Sequence, residues 1–435
     1  MQLYSIYQQH PEICTDSRIR TNGALFFALK GDNFNANAFA IKALENGCSY
    51  AVIDEPEFAI DERFIVVDNV LSSLQQLAQY HRKQLSTKIV GITGTNGKTT
   101  TKELIAAVLN QKYNVLYTLG NLNNHIGVPL TLLKLKPEHE IAIIEMGANH
   151  PGEIKILAEI ACPDFGIITN VGKAHLEGFG SFDGVMNTKA ELYDYISNFG
   201  KLIFINSGNK FLKEMAYKSG LRNTNQQIEY QLTEDTESTT FVSGKIADCS
   251  PFLHMKCDTN SGTIFDINTK LIGSYNAENI LAAVSIGNYF GLTDIEIKTG
   301  LENYQPQNNR SQLTETNRNK LVVDTYNANP TSMKAAITNF SIMNVQNKTL
   351  ILGDMLELGT YSRDEHQNIV DLLRELHFEN VYLVGPEFKK TDNSYTCFED
   401  VSEILMYLNQ NPINNHFVLI KGSRGIKLEQ VIGTL

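Results

Sequence analysis

The sequence has no block rich in lysine or arginine, no apolar run long enough to span a bilayer, and no C-x-x-C pair. The first absence argues against broad nucleic-acid binding, and a formal net charge of -11 agrees. Positive charge that meets a phosphorylated ligand must therefore be local. The second absence predicts no membrane-spanning helix and no membrane partner. The opening residues Met1-Gln2-Leu3-Tyr4-Ser5 also lack the charged-then-apolar pattern of a secretory signal. A cytoplasmic protein is expected. The six cysteines (Cys14, Cys48, Cys162, Cys249, Cys257, Cys397) are scattered, which predicts reduced thiols buried singly. Internal repeats and low-complexity tracts are absent as well.

What remains is an ordinary globular composition, 42% hydrophobic and 20% charged over 435 residues. That length exceeds one typical domain. The first 85 residues alternate short strands (25–29, 50–53, 64–67) with a helix over 72–84. From Lys88 onward, apolar strands at 89–93, 141–145, 166–169 and 202–205 alternate with helices at 100–111 and 182–197. That alternation predicts a mostly parallel sheet with crossover helices. Residues 221–270 are polar and threonine-rich and suggest an antiparallel edge extension, followed by a helix over 277–288. After the aperiodic stretch 306–310, strands at 321–324, 350–353, 381–384 and 417–420 begin a second βα series. The expected class is α/β in three domains: a small α/β domain (1–85), a central P-loop-type domain (86–307) and a C-terminal Rossmann-like doubly wound domain (308–435).

The richest segment runs from Ile89 to Thr101. Gly91, Gly94 and Gly97, then Lys98, Thr99 and Thr100, lie between an apolar strand and a helix. Glycines let backbone N–H groups turn inward, and the helix directs its positive end at an anion. Lys98 would reach the β/γ-phosphates and the Thr99 hydroxyl would sit on Mg²⁺. The strict G-x-x-x-x-G-K-[ST] template places glycine where this chain has Ile92, so the loop is a variant.

Other candidates fall just past predicted strands, where open α/β sheets bind ligands. Glu145 suits Mg²⁺. His175, taken alone, reads as structural, because Mg²⁺ prefers oxygen. Lys189, taken alone, reads as an exposed helix lysine. Asp324 suits a ribose hydroxyl, and Arg310 just upstream suits a phosphate. The turn Lys421-Gly422-Ser423-Arg424-Gly425 looks anion-facing. Asp16-Ser17-Arg18 and Lys30-Gly31 lie in loops that suit an anionic group.

Several segments together resemble the Mur ligase family over nearly the whole chain. They are Gly91 to Thr101, Asn121-Leu122-Asn123-Asn124, the run from Glu145 to Glu153, the run from Thr169 to Glu177, Tyr326-Asn327-Ala328-Asn329-Pro330, and the run from Leu352 to Gly359. The likeness is strongest to the branch that adds D-alanyl-D-alanine, and no Asp-Asn-Pro-Arg segment of the diamino-acid-adding branch is present. The resemblance implies an ATP-dependent ligase that joins D-Ala-D-Ala to UDP-N-acetylmuramoyl-tripeptide through an acyl phosphate, in peptidoglycan precursor synthesis. It implies that Gly94, Thr95, Asn96, Gly97, Lys98, Thr99 and Thr100 hold ATP phosphates, with Asn276 and Asn279 near the adenine and Arg310 and Asp324 reaching across. It implies two Mg²⁺ sites, the first on Thr99 and Glu145, the second on His175 and a carbamylated Lys189. Lys98, Lys189 and His175 are the implied catalytic set. Ser17, Arg18, Lys30, Asn123, Asn124, Tyr326, Asn327 and Asn329 are implied to face the other substrates. Two departures from the family pattern stand out: Tyr275 replaces a common histidine, and Phe34 to Phe39 replaces a common Asp-Gly-His segment. A monomer is the default expectation. The alternatives are a ligase adding another amino acid, a folylpolyglutamate synthase-like enzyme, or a nucleotide-switched regulatory ATPase.

Overall fold

The structure is a computed structural model that describes residues 2–31, 33–222, 224–234, 240–259, 261–306 and 309–435. Residues 307 and 308, where the expected central and C-terminal domains meet, lie outside the described residues.

Among the described residues, three main sheets succeed one another along the chain. The first has four parallel strands in the order Ile13–Cys14, Leu25–Phe27, Tyr50–Ile53 and Phe64–Val66. The helix Val70–Lys83 follows, capped by the Asn69 side chain on Ser72 N–H. It buries Val70, Leu74, Leu77, Ala78 and His81, the i, i+4, i+7 stripe of one helix face. That stripe joins Leu25 and Phe27 to Ile154 and Leu157 in one apolar cluster, so the first unit is packed onto the second.

The second sheet has nine strands among the described residues. Strands Val115–Tyr117, Ile141–Glu145, Lys88–Thr93, Phe165–Ile168, Leu202–Asn206 and Gln227–Leu232 run parallel in that order. Their residues divide by period two: Ile89, Ala142 and Ile144 face one core, whereas Val90, Ile92, Ile141 and Ile143 face the other. Ile92, the departure from the strict loop template, is therefore a fully buried strand residue. The expected edge extension exists, with one difference. Val242–Cys249, Phe252–Asp258 and Ile264–Ile272 form an antiparallel meander, but Gln227–Leu232 joins the sheet in parallel and Val242–Cys249 runs parallel to it.

The third sheet has six strands in the order Gln312–Glu315, Lys320–Asp324, Phe417–Lys421, Lys348–Gly353, Val381–Val384 and Thr396–Phe398. All pairs are parallel except the first. Parallel register brings Asp324 opposite Lys421 at the carboxyl end of two neighbouring strands. Among the described residues no helix is long and apolar enough to cross a membrane.

Candidate active site

The strand Lys88–Thr93 ends at a loop that turns into the helix Lys98–Leu109. The helix begins two residues earlier than its apolar pattern suggests, because Gly97 adopts φ 78° immediately before it. Gly94 is also left-handed, at φ 144°, and a Cβ there would lie 2.0 Å from Thr169 Oγ1. A side chain at 94 would therefore push the loop off the neighbouring strand end. That strand end fixes the loop: Asn96 N–H donates to Asn170 Oδ1 at 2.9 Å, and Thr169 Oγ1 donates to Asn96 O at 2.6 Å. Lys98 Nζ lies over the loop and donates to Gly94 O at 2.6 Å and Thr95 O at 3.0 Å. Burial pulls its ammonium down to about 8, with Glu145 opposing and Arg310 adding to the shift.

Beside the helix start, Thr99 Oγ1 donates to Glu145 Oε1 at 3.2 Å, and Asn123 Nδ2 donates to the same oxygen at 2.8 Å. Glu145 Oε2 is buried without a hydrogen-bond partner, with Lys102 Nζ at 3.7 Å. An orphaned carboxylate oxygen beside a hydroxyl is a hard-oxygen donor set that fits Mg²⁺ completed by phosphate oxygens. Lys102 was missed from sequence. It stands one turn after Lys98 on the same helix face, a spacing that gave the only available signal.

His175 and Lys189 are the residues expected at the second metal. His175 adopts φ 48°, and its Nδ1 lies against the Glu357 carboxylate of the third unit. Lys189 is not exposed, as its helix position suggested: it is 2% exposed, 5.5 Å from the Phe179 ring centre. Its helix, Phe182–Phe199, turns that face inward with Val185, Met186 and Leu192. Burial, reinforced by the charge of Lys98, pulls the Lys189 ammonium down to about 7. Among the described residues no three His, Cys, Asp or Glu side chains form a metal cluster. A buried cation is no metal ligand, so these residues fit a second Mg²⁺ only if Lys189 becomes an anion.

The third unit closes over the loop. Asn329 caps the helix Pro330–Ile342, and its Nδ2 donates to Asn96 Oδ1 at 2.7 Å. Lys173 pairs with Glu365 at 2.6 Å. Arg310 stacks 3.6 Å from the Tyr326 ring centre, and Asp324 accepts from Lys421 Nζ at 2.6 Å. Sequence reading marked Lys421 and Asp324 separately; only the parallel register pairs them.

One cavity of about 1280 Å³ gathers most of the candidates. Residues 95–100, Asn123, Asn124, Glu145, His175, Asn276, Asn279, Arg310, Asp324, Tyr326, Asn327 and Asn329 all line it. Asn279 backs the loop, accepting from Thr101 Oγ1 at 3.0 Å and donating to Asn276 Oδ1 at 2.9 Å. Tyr275, the departure from histidine, also lines the cavity and shares a 2.6 Å hydrogen bond with Ser311 Oγ.

Gly94 and Lys189 lie outside the lining, and so do Ser17, Arg18 and Lys30. Arg18 is bound to Asp16, and Lys30 bridges Asp54 and Glu55 at 2.9 and 2.8 Å. Their charges are satisfied within the first unit. Phe34 and Phe39, in the second departing segment, stack on each other at 5.4 Å.

Comparison with known proteins agrees with this geometry. Residues 92–287 match the Mur ligase middle domain, and residues 309–424 match the Mur ligase glutamate ligase domain. The chain is 33% identical over 440 residues to the UDP-N-acetylmuramoyl-tripeptide--D-alanyl-D-alanine ligase of Bacillus subtilis (strain 168), covering 97% of this chain and 92% of that protein. A crystal structure of MurF from Acinetobacter baumannii superposes with a TM-score of 0.85 at 31% identity, covering 97% and 92% of the two chains. MurF from Thermotoga maritima in complex with ADP gives 0.84 at 26% identity, covering 97% and 96%.

Proposed function

The chain belongs to the Mur ligase family, and from that premise we propose the reaction it carries out and the residues that serve it. It is an ATP-dependent amide-forming ligase that joins D-Ala-D-Ala to UDP-N-acetylmuramoyl-tripeptide, a step of peptidoglycan precursor synthesis. The observation that carries the reading is a cavity in which Lys98, Glu145 and Arg310 meet.

The tripeptide's terminal carboxylate accepts the γ-phosphoryl group and becomes an acyl phosphate. The dipeptide amine then attacks the activated carbonyl, and phosphate leaves. Two anions must approach each other. At 4 Å, two unit charges repel by about 4 kcal/mol at an effective dielectric of 20. Positioning and charge neutralisation therefore dominate catalysis.

The glycine loop amides and Lys98 receive the phosphates, and Arg310 adds positive charge from the third unit. Asp324 faces the ribose, steadied by Lys421. Asn276 and Asn279 flank the adenine, with Tyr275 beside them. Thr99 and Glu145 would hold Mg²⁺, and His175 with a carbamylated Lys189 would hold a second. Bound there, Mg²⁺ neutralises phosphate charge. Lys189 is suited to carbamylation, since an amine pulled to about 7 is largely unprotonated just above neutral pH and can add CO₂. Ser17, Arg18 and Lys30 are read as the nucleotide-sugar end. Asn123, Asn124, Tyr326, Asn327 and Asn329 are read as facing the peptide substrates.

Domains at 1–85, 86–307 and 308–435, a monomeric state and a cytoplasmic location complete the reading. The succession of three sheets supports the division into domains. The test is ATP-dependent phosphate release with UDP-N-acetylmuramoyl-tripeptide. Release that rises on adding D-Ala-D-Ala is expected. Release indifferent to both peptides would instead indicate a regulatory ATPase.

A further inference from the structure

The run from Leu352 to Gly359 leaves the strand Lys348–Gly353 and reaches toward the second sheet unit. Its turn is tied down on both sides. Met355 N–H donates to His366 Nε2 at 3.0 Å, and Leu356 N–H donates to Ser423 Oγ at 2.9 Å. Leu358 is buried. Glu357 stands between these fixed points, with φ 62°. Gly359 follows at φ 54°, and a Cβ there would stand 3.4 Å from the Glu177 Cβ. The turn is therefore seated on the segment that carries His175.

Glu357 and His175 are both left-handed, at φ 62° and φ 48°. Such backbone is costly for a residue other than glycine, and it persists where its surroundings hold it, often at functional sites. Here one such residue from each unit faces the other. His175 Nδ1 is buried, makes no hydrogen bond of regular geometry, and lies against the Glu357 carboxylate. The ring itself lines the nucleotide cavity, and its Nε2 is not buried. Phe179 stands edge-on to His175 at 6.2 Å and 5.5 Å from Lys189 Nζ, so one aromatic ring spaces the two residues of the second metal site.

The chemistry of imidazole gives this contact a use. A neutral histidine that offers one nitrogen to a metal carries its proton on the other. A carboxylate opposite that N–H fixes the tautomer and the ring orientation, and it raises the basicity of the free nitrogen. The neighbouring contact between the same units, Lys173 with Glu365 at 2.6 Å, does not involve the ring.

Resting on the ligase reading above and its second metal site, we propose that Glu357 is a positioning residue for His175. Its carboxylate keeps the proton on Nδ1 and leaves Nε2 free for the second Mg²⁺. Because Glu357 belongs to the third unit, that site is complete only when the third unit is docked.

The experiment titrates the full chain with Mn²⁺ as the probe, in bicarbonate buffer with a non-hydrolysable ATP analogue. Electron paramagnetic resonance reads the free Mn²⁺. In Glu357→Ala the affinity of the second site should fall about 10- to 100-fold, the scale for losing the partner of a ligating histidine. The first site should stay within about twofold of the wild type, since Thr99 and Glu145 do not touch Glu357. Glu357→Gln keeps an acceptor without the charge and should fall between. Glu365→Gln breaks only the neighbouring ion pair and should leave both sites within about twofold. Melting curves verify that the variants are folded. Wild-type affinity at both sites in Glu357→Ala overturns the proposal and leaves the ligase reading intact. A second site weakened as much by Glu365→Gln as by Glu357→Ala also overturns it, because docking alone would then be the cause. A wild type with only one Mn²⁺ site overturns the second metal and this proposal together. The ligase reading falls separately, if D-Ala-D-Ala fails to stimulate phosphate release.

Discussion

Asn329 Nδ2 donates to Asn96 Oδ1 at 2.7 Å, joining a helix cap of the third sheet unit to the glycine loop of the second. The two residues are 233 positions apart in sequence. This one contact makes the shape of the phosphate loop depend on the docking of the C-terminal unit.

Asn329→Ala should leave the central fold intact, since the loop keeps its bonds to Asn170 and Thr169. It removes one neutral hydrogen bond and a helix cap, each about 1 kcal/mol. The expected outcome is a kcat/KM for ATP lowered about five- to thirtyfold. Steady-state kinetics with ATP varied checks it, and an unchanged value would show that the contact has no part in assembling the site.

Lys98→Ala should lower turnover at least about 100-fold, the scale for losing a preorganised charge-stabilising donor. Phosphate-release assays at saturating substrates measure this. Activity like that of the wild type would refute the phosphate assignment.

Glu145→Gln keeps the shape of the side chain but removes the charge opposite Lys102. The expected result is a markedly higher Mg²⁺ concentration for half-maximal activity, with KM for D-Ala-D-Ala little changed. A magnesium titration decides the matter; an unaltered magnesium requirement would remove Glu145 from the metal site.

Lys98 and Lys189 titrate near 8 and near 7 in the folded protein. In the unfolded chain both titrate near about 10.4. The unfolded chain therefore binds more protons between these limits, and stability rises with pH across that window. In bicarbonate-free buffer, Tm should climb from about pH 7 to about pH 9. Lys189→Met should flatten the lower part of the climb. Added bicarbonate should raise wild-type activity and leave that variant unaffected. Thermal scans across pH and an assay with and without bicarbonate supply both readouts.

Asp324 and Lys421 form an ion pair that is 15% and 2% exposed at the two side chains. Lys421→Met would strand Asp324 without its partner, at a cost of about 3–5 kcal/mol. A clear fall in Tm is expected, together with a raised KM for ATP. The double variant Asp324→Asn/Lys421→Met should recover part of the stability, because no isolated charge remains.

Much of this protein was legible in its residues. Continuous apolar runs marked the central strands, since burial on both faces of a parallel sheet demands them. The segment from Gly91 to Thr101 announced phosphate chemistry, because glycine freedom, lysine charge and a helix start act over neighbouring residues. Other facts had no local signal. Lys189 reads as a surface lysine until the packing of its helix turns it inward and pulls down its basicity. Lys102 reads as one more helix lysine until Glu145 arrives from a strand 43 positions later. Asp324 and Lys421 become a pair only through parallel register. Backbone conformation and apolar period are set by near neighbours, so the chain itself determines them. Electrostatics in a buried site depends on which distant segments exclude water together, and only the tertiary structure decides that.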